Sequence, residues 1–91
     1  MTVENNVERR QFELREGPLT SRLVYRIKGD VIDLVHTEVP AALEGRGIAK
    51  ELVRFALDYA EQNNLVVRPT CPYVQTYLKR HPTTAKLLES G

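Results

Sequence analysis

The chain has 91 residues, 42% hydrophobic and 27% charged, with 13 Lys and Arg against 12 Asp and Glu for a net charge of +1. That length supports one core, the apolar share excludes wholesale disorder, and the near-neutral balance excludes a molecule-wide pull toward nucleic acid or anionic lipid. No apolar run approaches the roughly 18 residues of a bilayer span, and a single cysteine, Cys71, excludes an internal disulfide.

One thiol and two scattered histidines make a poor zinc set, so no metal site is expected. A reducing, cytoplasmic setting is the natural inference, with neither a nucleic-acid nor a membrane partner. The expected state is a monomer or a weak homodimer.

Residues 1–6 are polar, lack the apolar core of a secretory signal and are expected to fray, ahead of one compact domain over residues 7–91. From Val7 the residues alternate. Phe12 and Leu14 face one way, and Arg9, Gln11, Glu13 and Arg15 face the other, as in a strand with one wet face. Glu16-Gly17-Pro18 signals a turn. The next strand puts Leu19, Ser21, Leu23, Tyr25 and Ile27 on one side, and Gly29-Asp30 turns the chain again, giving an antiparallel hairpin.

The third strand, Val31 to Val39, is apolar on both sides, with Val31, Val35 and Val39 against Ile32, Leu34 and then His36. Such a strand is expected to be central and covered on both faces. Ile48 to about Asn63 follows helical spacing. Ile48, Leu52, Phe55 or Ala56, and Tyr59 form the apolar stripe, and Glu51, Arg54, Asp58 and Glu61 the wet side. Leu65 to Val67 is a short fourth strand closed by Pro69. Tyr73 to His81 forms a second helix buried through Val74, Tyr77 and Leu78, and Thr83 to Leu88 a last helical turn or two after Pro82. Three strands, helix, strand, helix is an α+β layer fold.

The start of the main helix is the sharpest feature. A helix leaves four N–H groups without internal partners, and Ser, Thr, Asp or Asn usually caps them. None of these stands between Leu43 and Ile48. Two glycines flank an arginine instead, Gly45-Arg46-Gly47, so the backbone can approach a ligand closely and present bare amides at the positive helix end. That suits a phosphate. Arg46 adds charge, and Lys50 and Arg54 follow one and two turns later. A dinucleotide fingerprint would need Gly or Ala where Lys50 stands, and a nucleotide P-loop needs Gly-Lys-Ser/Thr, which is absent. A water-capped tight turn is the plain alternative.

The string Glu44-Gly45-Arg46-Gly47-Ile48-Ala49 resembles the pyrophosphate loop of the GCN5-related N-acetyltransferases, Gln/Arg-x-x-Gly-x-Gly/Ala at a strand-to-helix junction. Gly47 and Ala49 match. Glu44 departs, which leaves the side-chain contact there open and keeps the backbone cradle. With His36-Thr37-Glu38-Val39-Pro40, Pro69-Thr70-Cys71-Pro72-Tyr73 and His81-Pro82, the chain is similar to the small single-domain branch of that family, from about Phe12 to Leu88.

The resemblance implies a mixed, mainly antiparallel sheet of about four strands, a pyrophosphate-loop helix, a C-terminal helix, and strands that splay at the coenzyme site. Acetyl-coenzyme A would lie with its diphosphate on residues Glu44 to Lys50, its pantetheine on the backbone of Glu38 and Val39, and its thioester near Cys71. Tyr73, Arg80 and Lys79 are further candidates for contact with it. The last two also suit a helix C-terminus as plain dipole complements. Transfer to an amine needs a base, a held carbonyl and an acid for the departing thiolate.

Cys71, ahead of a helix, fits as that acid or as an acetyl carrier, and a lone cysteine also fits as a buried filler. Tyr77 and Tyr73 compete for the acid role. His36 and Glu38, on one strand face, fit as base or acceptor contacts, and Thr37 as a packing neighbour. Relatives carry two helices between their first two strands, where this chain has only Glu16-Gly17-Pro18. The resemblance therefore implies an open acceptor side, suited to a protein lysine or a polyamine. A coenzyme A-binding module without catalysis, or a protein-interaction domain on the same fold, fits the same residues.

Overall fold

Period-two alternation builds one sheet, and a single helical stripe covers it. The computed structural model describes residues 2–89. Strands β1 (Val3–Asn6), β2 (Gln11–Glu16), β3 (Leu19–Lys28) and β4 (Val31–Glu38) pair antiparallel in chain order. Helix α1 (Ile48–Gln62) then crosses over to β5 (Val66–Pro69), which pairs parallel to β4. Helix α2 (Pro72–Arg80) and a 3-10 segment (Pro82–Leu87) follow. Leu88 bridges to Val67, and the Glu89 N–H donates to the Val67 carbonyl at 3.0 Å, so the chain end covers part of the β5 edge. None of the described helices is long and apolar enough to cross a membrane.

The α+β architecture and both helices match the sequence reading, but the sheet has five strands rather than about four. The added strand is β1, in the stretch expected to fray. Met1 lies outside the described residues. Val3–Asn6 pairs with β2 through its backbone, helped by the Tyr25 hydroxyl donating to Asn5 Oδ1 at 2.7 Å. A tight turn makes this possible, with Arg10 at φ 55° and its N–H on the Val7 carbonyl. Asparagines and a glutamate give no apolar alternation, so main-chain pairing rather than burial makes this strand.

The core lies between the sheet and α1. Apolar positions 48, 52, 53, 56, 57 and 60 return to one side of the helix at its natural period and bury against Phe12, Leu14, Leu23, Ile32, Leu34 and Val67. Phe12 is the hub. It has no exposed surface, and its ring lies 4.7 Å from Tyr25, 5.4 Å from Phe55 and 5.5 Å from Tyr59, centroid to centroid. Edge-on packing of this kind adds to plain burial.

Two features of the opposite sheet face differ from expectation. Val24 pairs with His36 while Tyr25 pairs with Leu34, leaving Val35 as an extra residue in β4. This bulge breaks the alternation. Ile32 and Leu34 point to the core, but His36 joins Val24 on the far face, so His36 does not share a face with Leu34. That face is not covered: Val31 and Val35 are only half-buried, and the His36 side chain is exposed. The second feature is polar. Gln11 and Glu13, read as wet, are almost fully buried among their own neighbours. Gln11 Nε2, Asn6 Nδ2 at 3.2 Å and Arg15 Nη2 at 3.3 Å donate to the Glu13 carboxylate, and Arg22 Nη1 donates to Gln11 Oε1 at 3.4 Å. Burial pushes the Glu13 carboxyl up, but the bonds from Gln11, Asn6 and Arg15 outweigh it and hold it below its ordinary value.

Two outcomes follow from this packing. Phe12→Ala should lower unfolding free energy by about 3–5 kcal/mol in a denaturant titration, since it removes the residue that three rings share. For Glu13 the lowered folded-state pKa means stability that is present above the ordinary carboxylate range and lost as pH falls through it. The urea midpoint of the wild type should therefore drop more between about pH 5 and about pH 3 than that of Glu13→Gln.

Candidate active site

The loop before α1 is pinned on one side and left open on the other. Pro40 opens a 3-10 turn (Ala41–Leu43) whose Leu43 is buried in the core, with the Leu43 N–H on the Pro40 carbonyl at 2.8 Å. Gly45 and Gly47 both take left-handed backbone, at φ 83° and 76°. A side chain at Gly47 would meet nothing within 4 Å, so glycine is required there by backbone conformation rather than by crowding. Gly47 is the N-cap of α1 and supplies no side-chain bond. The first bond into the helix is Glu51 N–H to the Gly47 carbonyl at 3.1 Å. Among the described residues no group accepts from the amides of Ile48, Ala49 and Lys50.

Those amides border a cavity of about 230 Å³ between the loop, Val39 and Tyr73. It runs into a groove of about 500 Å³ bordered by Thr20, Thr37, Glu38, Val39, Pro40, Glu44, Ala49 and Tyr73. The groove exists because β4 and β5 part company. Their register ends at Leu34 opposite Pro69, and the Cys71 N–H caps it by donating to the Leu34 carbonyl at 2.8 Å. Beyond that bond β4 runs on to Glu38 while the other chain turns into α2.

Glu38, Val39, Glu44, Gly45, Gly47, Ile48, Ala49, Lys50 and Tyr73 thus line two adjoining cavities that share Val39, Glu44, Ala49 and Tyr73. Arg80 and Tyr77 border a third, smaller cavity that shares Lys50 and Tyr73 with the second. Arg46 is exposed beside the loop. Arg54 is not part of this region, and borders a different cavity with Glu51 and Asp58.

Cys71 sits just behind the groove wall. Its side chain is buried, at 4% exposure, and its sulfur and Thr37 Oγ1 lie 3.4 Å apart in a hydrogen bond that either can donate. Thr37 is therefore more than a packing neighbour. Burial pushes the Cys71 thiol up, but Thr37 and the peptide groups of Val74, Tyr73 and Thr37 outweigh it and hold the thiol below its ordinary value.

Tyr73 and Tyr77 are separated by their surroundings. Tyr73 is 39% exposed and borders all three cavities. Burial, with Tyr77 nearby, pushes its hydroxyl above the ordinary value, and Arg80 opposes this. Tyr77 is buried in α2 and stacks on His81 at 4.0 Å.

His36 and Glu38 stay together despite the bulge, with His36 Nε2 3.2 Å from Glu38 Oε2. A residue that the sequence marks only as part of the wet face of its strand completes the set: Arg22 Nη2 lies 2.7 Å from the same oxygen. Arg22 holds the Glu38 carboxyl below its ordinary range. Glu38 is thereby suited to accept a hydrogen bond rather than to take a proton near neutral pH. Thr20, on that same wet face and likewise no site candidate from sequence, borders the groove from the start of β3. Arg22 lies opposite Glu38 in the strand pairing, and Thr20 two residues before it on the same strand. Only the register, bulge included, brings them there.

Comparison with known proteins agrees with this geometry. A family model described as GCN5-related N-acetyl-transferase matches residues 11–87. Protein NATD1 of Mus musculus is 45% identical over 83 residues, covering 88% of this chain and 76% of the relative. Protein NATD1 of Danio rerio is 39% identical over 85 residues, covering 90% and 77%. An NMR solution structure of a GCN5-like protein from Staphylococcus aureus superposes with a TM-score of 0.75 at 20% identity, over 99% of this chain and 89% of that one, a likeness of fold. With most of its length matched, its strands parting after Leu34 and its first long helix opening on an uncapped two-glycine loop, the chain belongs to the GCN5-related N-acetyltransferase family.

Proposed function

We propose that this chain moves an acetyl group from acetyl-coenzyme A to an amine, by direct transfer within the groove between β4 and β5. The observation that carries the reading is the front of α1. Three backbone N–H groups there have no acceptor among the described residues, with open space before them. A diphosphate supplies the acceptors and the negative charge that such a helix end favours. Because backbone groups do the holding, the acid at Glu44 leaves the cradle intact.

The groove then takes the rest of the molecule. Its wall at Glu38 and Val39 lies beyond the last β4–β5 pair, so the backbone there can bond the pantetheine amides as a strand would. Transfer forms a C–N bond and breaks a C–S bond, so the departing thiolate needs a proton. Tyr73 is the acid this arrangement favours, since it borders the groove and its raised pKa keeps it protonated at neutral pH. Cys71 suits the acetyl-carrier role less well, being buried behind the wall and bonded to Thr37. The amine's proton goes to His36. With Nε2–H donating to Glu38, Nδ1 is the free lone pair, and Arg22 and Glu38 hold the ring in place.

The far sheet face around His36 is exposed, and the β2–β3 connection is only Gly17 and Pro18. That openness favours a protruding acceptor, a protein lysine or a polyamine. A single domain, acting in a reducing cytoplasm as a monomer or weak homodimer, completes the reading.

The test separates binding from chemistry. Tyr73→Phe should cut kcat by about a hundredfold while coenzyme A affinity stays close to wild type. Incubation with acetyl-coenzyme A alone should leave the intact mass of the protein unchanged, and Cys71→Ala should keep most of its turnover. A stable gain of one acetyl group, lost in Cys71→Ala, would replace direct transfer by a cysteine-borne intermediate. Tight coenzyme A binding with no thiol released to any amine would remove the enzyme reading.

A further inference from the structure

Beside the loop cavity lies a second one, of about 160 Å³, between the first turn of α1 and the last turn of α2. Its border is Lys50 from α1, and Tyr73, Thr76, Tyr77, Arg80 and His81 from α2 and its end. Its charge pattern is unlike its neighbours'. The groove is bordered by Glu38 and Glu44, and the loop cavity by Glu44, whereas this cavity has two cations and no acid. Elsewhere on the chain, Arg15, Arg22, Arg68 and Lys86 each lie within 4 Å of a carboxylate, while among the described residues other exposed cations such as Arg46 and Arg54 do not. Lys50 and Arg80 form no such pair among the described residues. Their charge is therefore uncompensated by protein where it faces this space.

The two rings at this border hold each other in place. The His81 ring is stacked on Tyr77 with an interplanar angle of 17°, and its Nδ1 is bonded to the Tyr77 carbonyl at 2.9 Å. That bond positions the ring and leaves Nε2 without a protein partner among the described residues. An ammonium and a guanidinium around a small cavity form a donor set for a phosphate monoester, whose charge near neutral pH is close to −2. Lys50 and Tyr73 border both cavities, so the two are neighbours along one surface.

We infer that this cavity holds the ribose 3′-phosphate of coenzyme A, and that Lys50 and Arg80 thereby make the protein select coenzyme A over its form lacking that phosphate. The inference rests on the diphosphate reading of the loop. A ligand seated there by its diphosphate carries one more phosphate, and the adjoining cavity is bordered by two cations that have no acid partner among the described residues. Selection arises because dephospho-coenzyme A would leave both cations facing an empty basic site.

Calorimetric titration of the folded protein with coenzyme A and with dephospho-coenzyme A tests this without any turnover. The wild type should bind coenzyme A at least about tenfold more tightly, and raising the salt should shrink that ratio. Arg80→Gln, on the exposed side of α2, should reduce the ratio at least about fivefold, chiefly by weakening coenzyme A, and Lys50→Gln should act in the same direction. Equal affinity for the two ligands in the wild type would overturn the inference and leave the loop reading standing. So would a ratio that survives both substitutions in variants whose melting temperatures match wild type. Binding of neither ligand would overturn the loop reading, and this inference with it.

Discussion

A left-handed glycine in place of a capping side chain is the constraint on which the rest of this molecule depends. Gly47, at φ 76°, brings the chain into α1 with nothing to bond the first amides. A capping side chain commonly adds about 1 kcal/mol to stability, so its omission here is a cost to the fold. The loop keeps its shape by other means. Leu43 is anchored in the core, and Pro40 starts the tight turn that leads to it. The result is a rigid mount for a helix end that still has donors to offer.

The sheet supplies the second half of the arrangement. Parallel pairing of β4 with β5 stops at Leu34, where the Cys71 amide takes the last bond and the chain turns into α2. The same separation opens the groove and sets Tyr73 over it. The bulge at Val35 acts on the opposite side, because it turns His36 away from the core and toward Glu38 and Arg22. One irregularity in β4 therefore decides whether a histidine is a core residue or an exposed partner of Glu38.

Elements that carry a strong period were legible from sequence. The stripes Ile48, Leu52, Ala56 and Val74, Tyr77, Leu78 report helix faces whatever they pack against, and the family pattern around Gly47 and Ala49 indicated the loop. What was hidden depends on pairing between distant residues. β1 has no apolar alternation and exists through main-chain bonds to β2. The burial of Gln11 and Glu13 needs Asn6, Arg15 and Arg22 brought together from three strands. Arg22 reaches Glu38 across 16 positions of sequence, and Thr37 reaches Cys71 across 34. No local spacing encodes such contacts. The bulge is hidden for the opposite reason, since Val35 is as good a strand residue as its neighbours and only the partner strand shows that it is extra.

The most direct measurement is a titration of isotope-labelled protein with coenzyme A, following each backbone amide by two-dimensional NMR. Gly47, Ile48, Ala49 and Lys50 should show the largest shifts and become protected from exchange as ligand saturates. Shifts that fall elsewhere while those four amides stay unmoved would contradict the diphosphate reading of the loop.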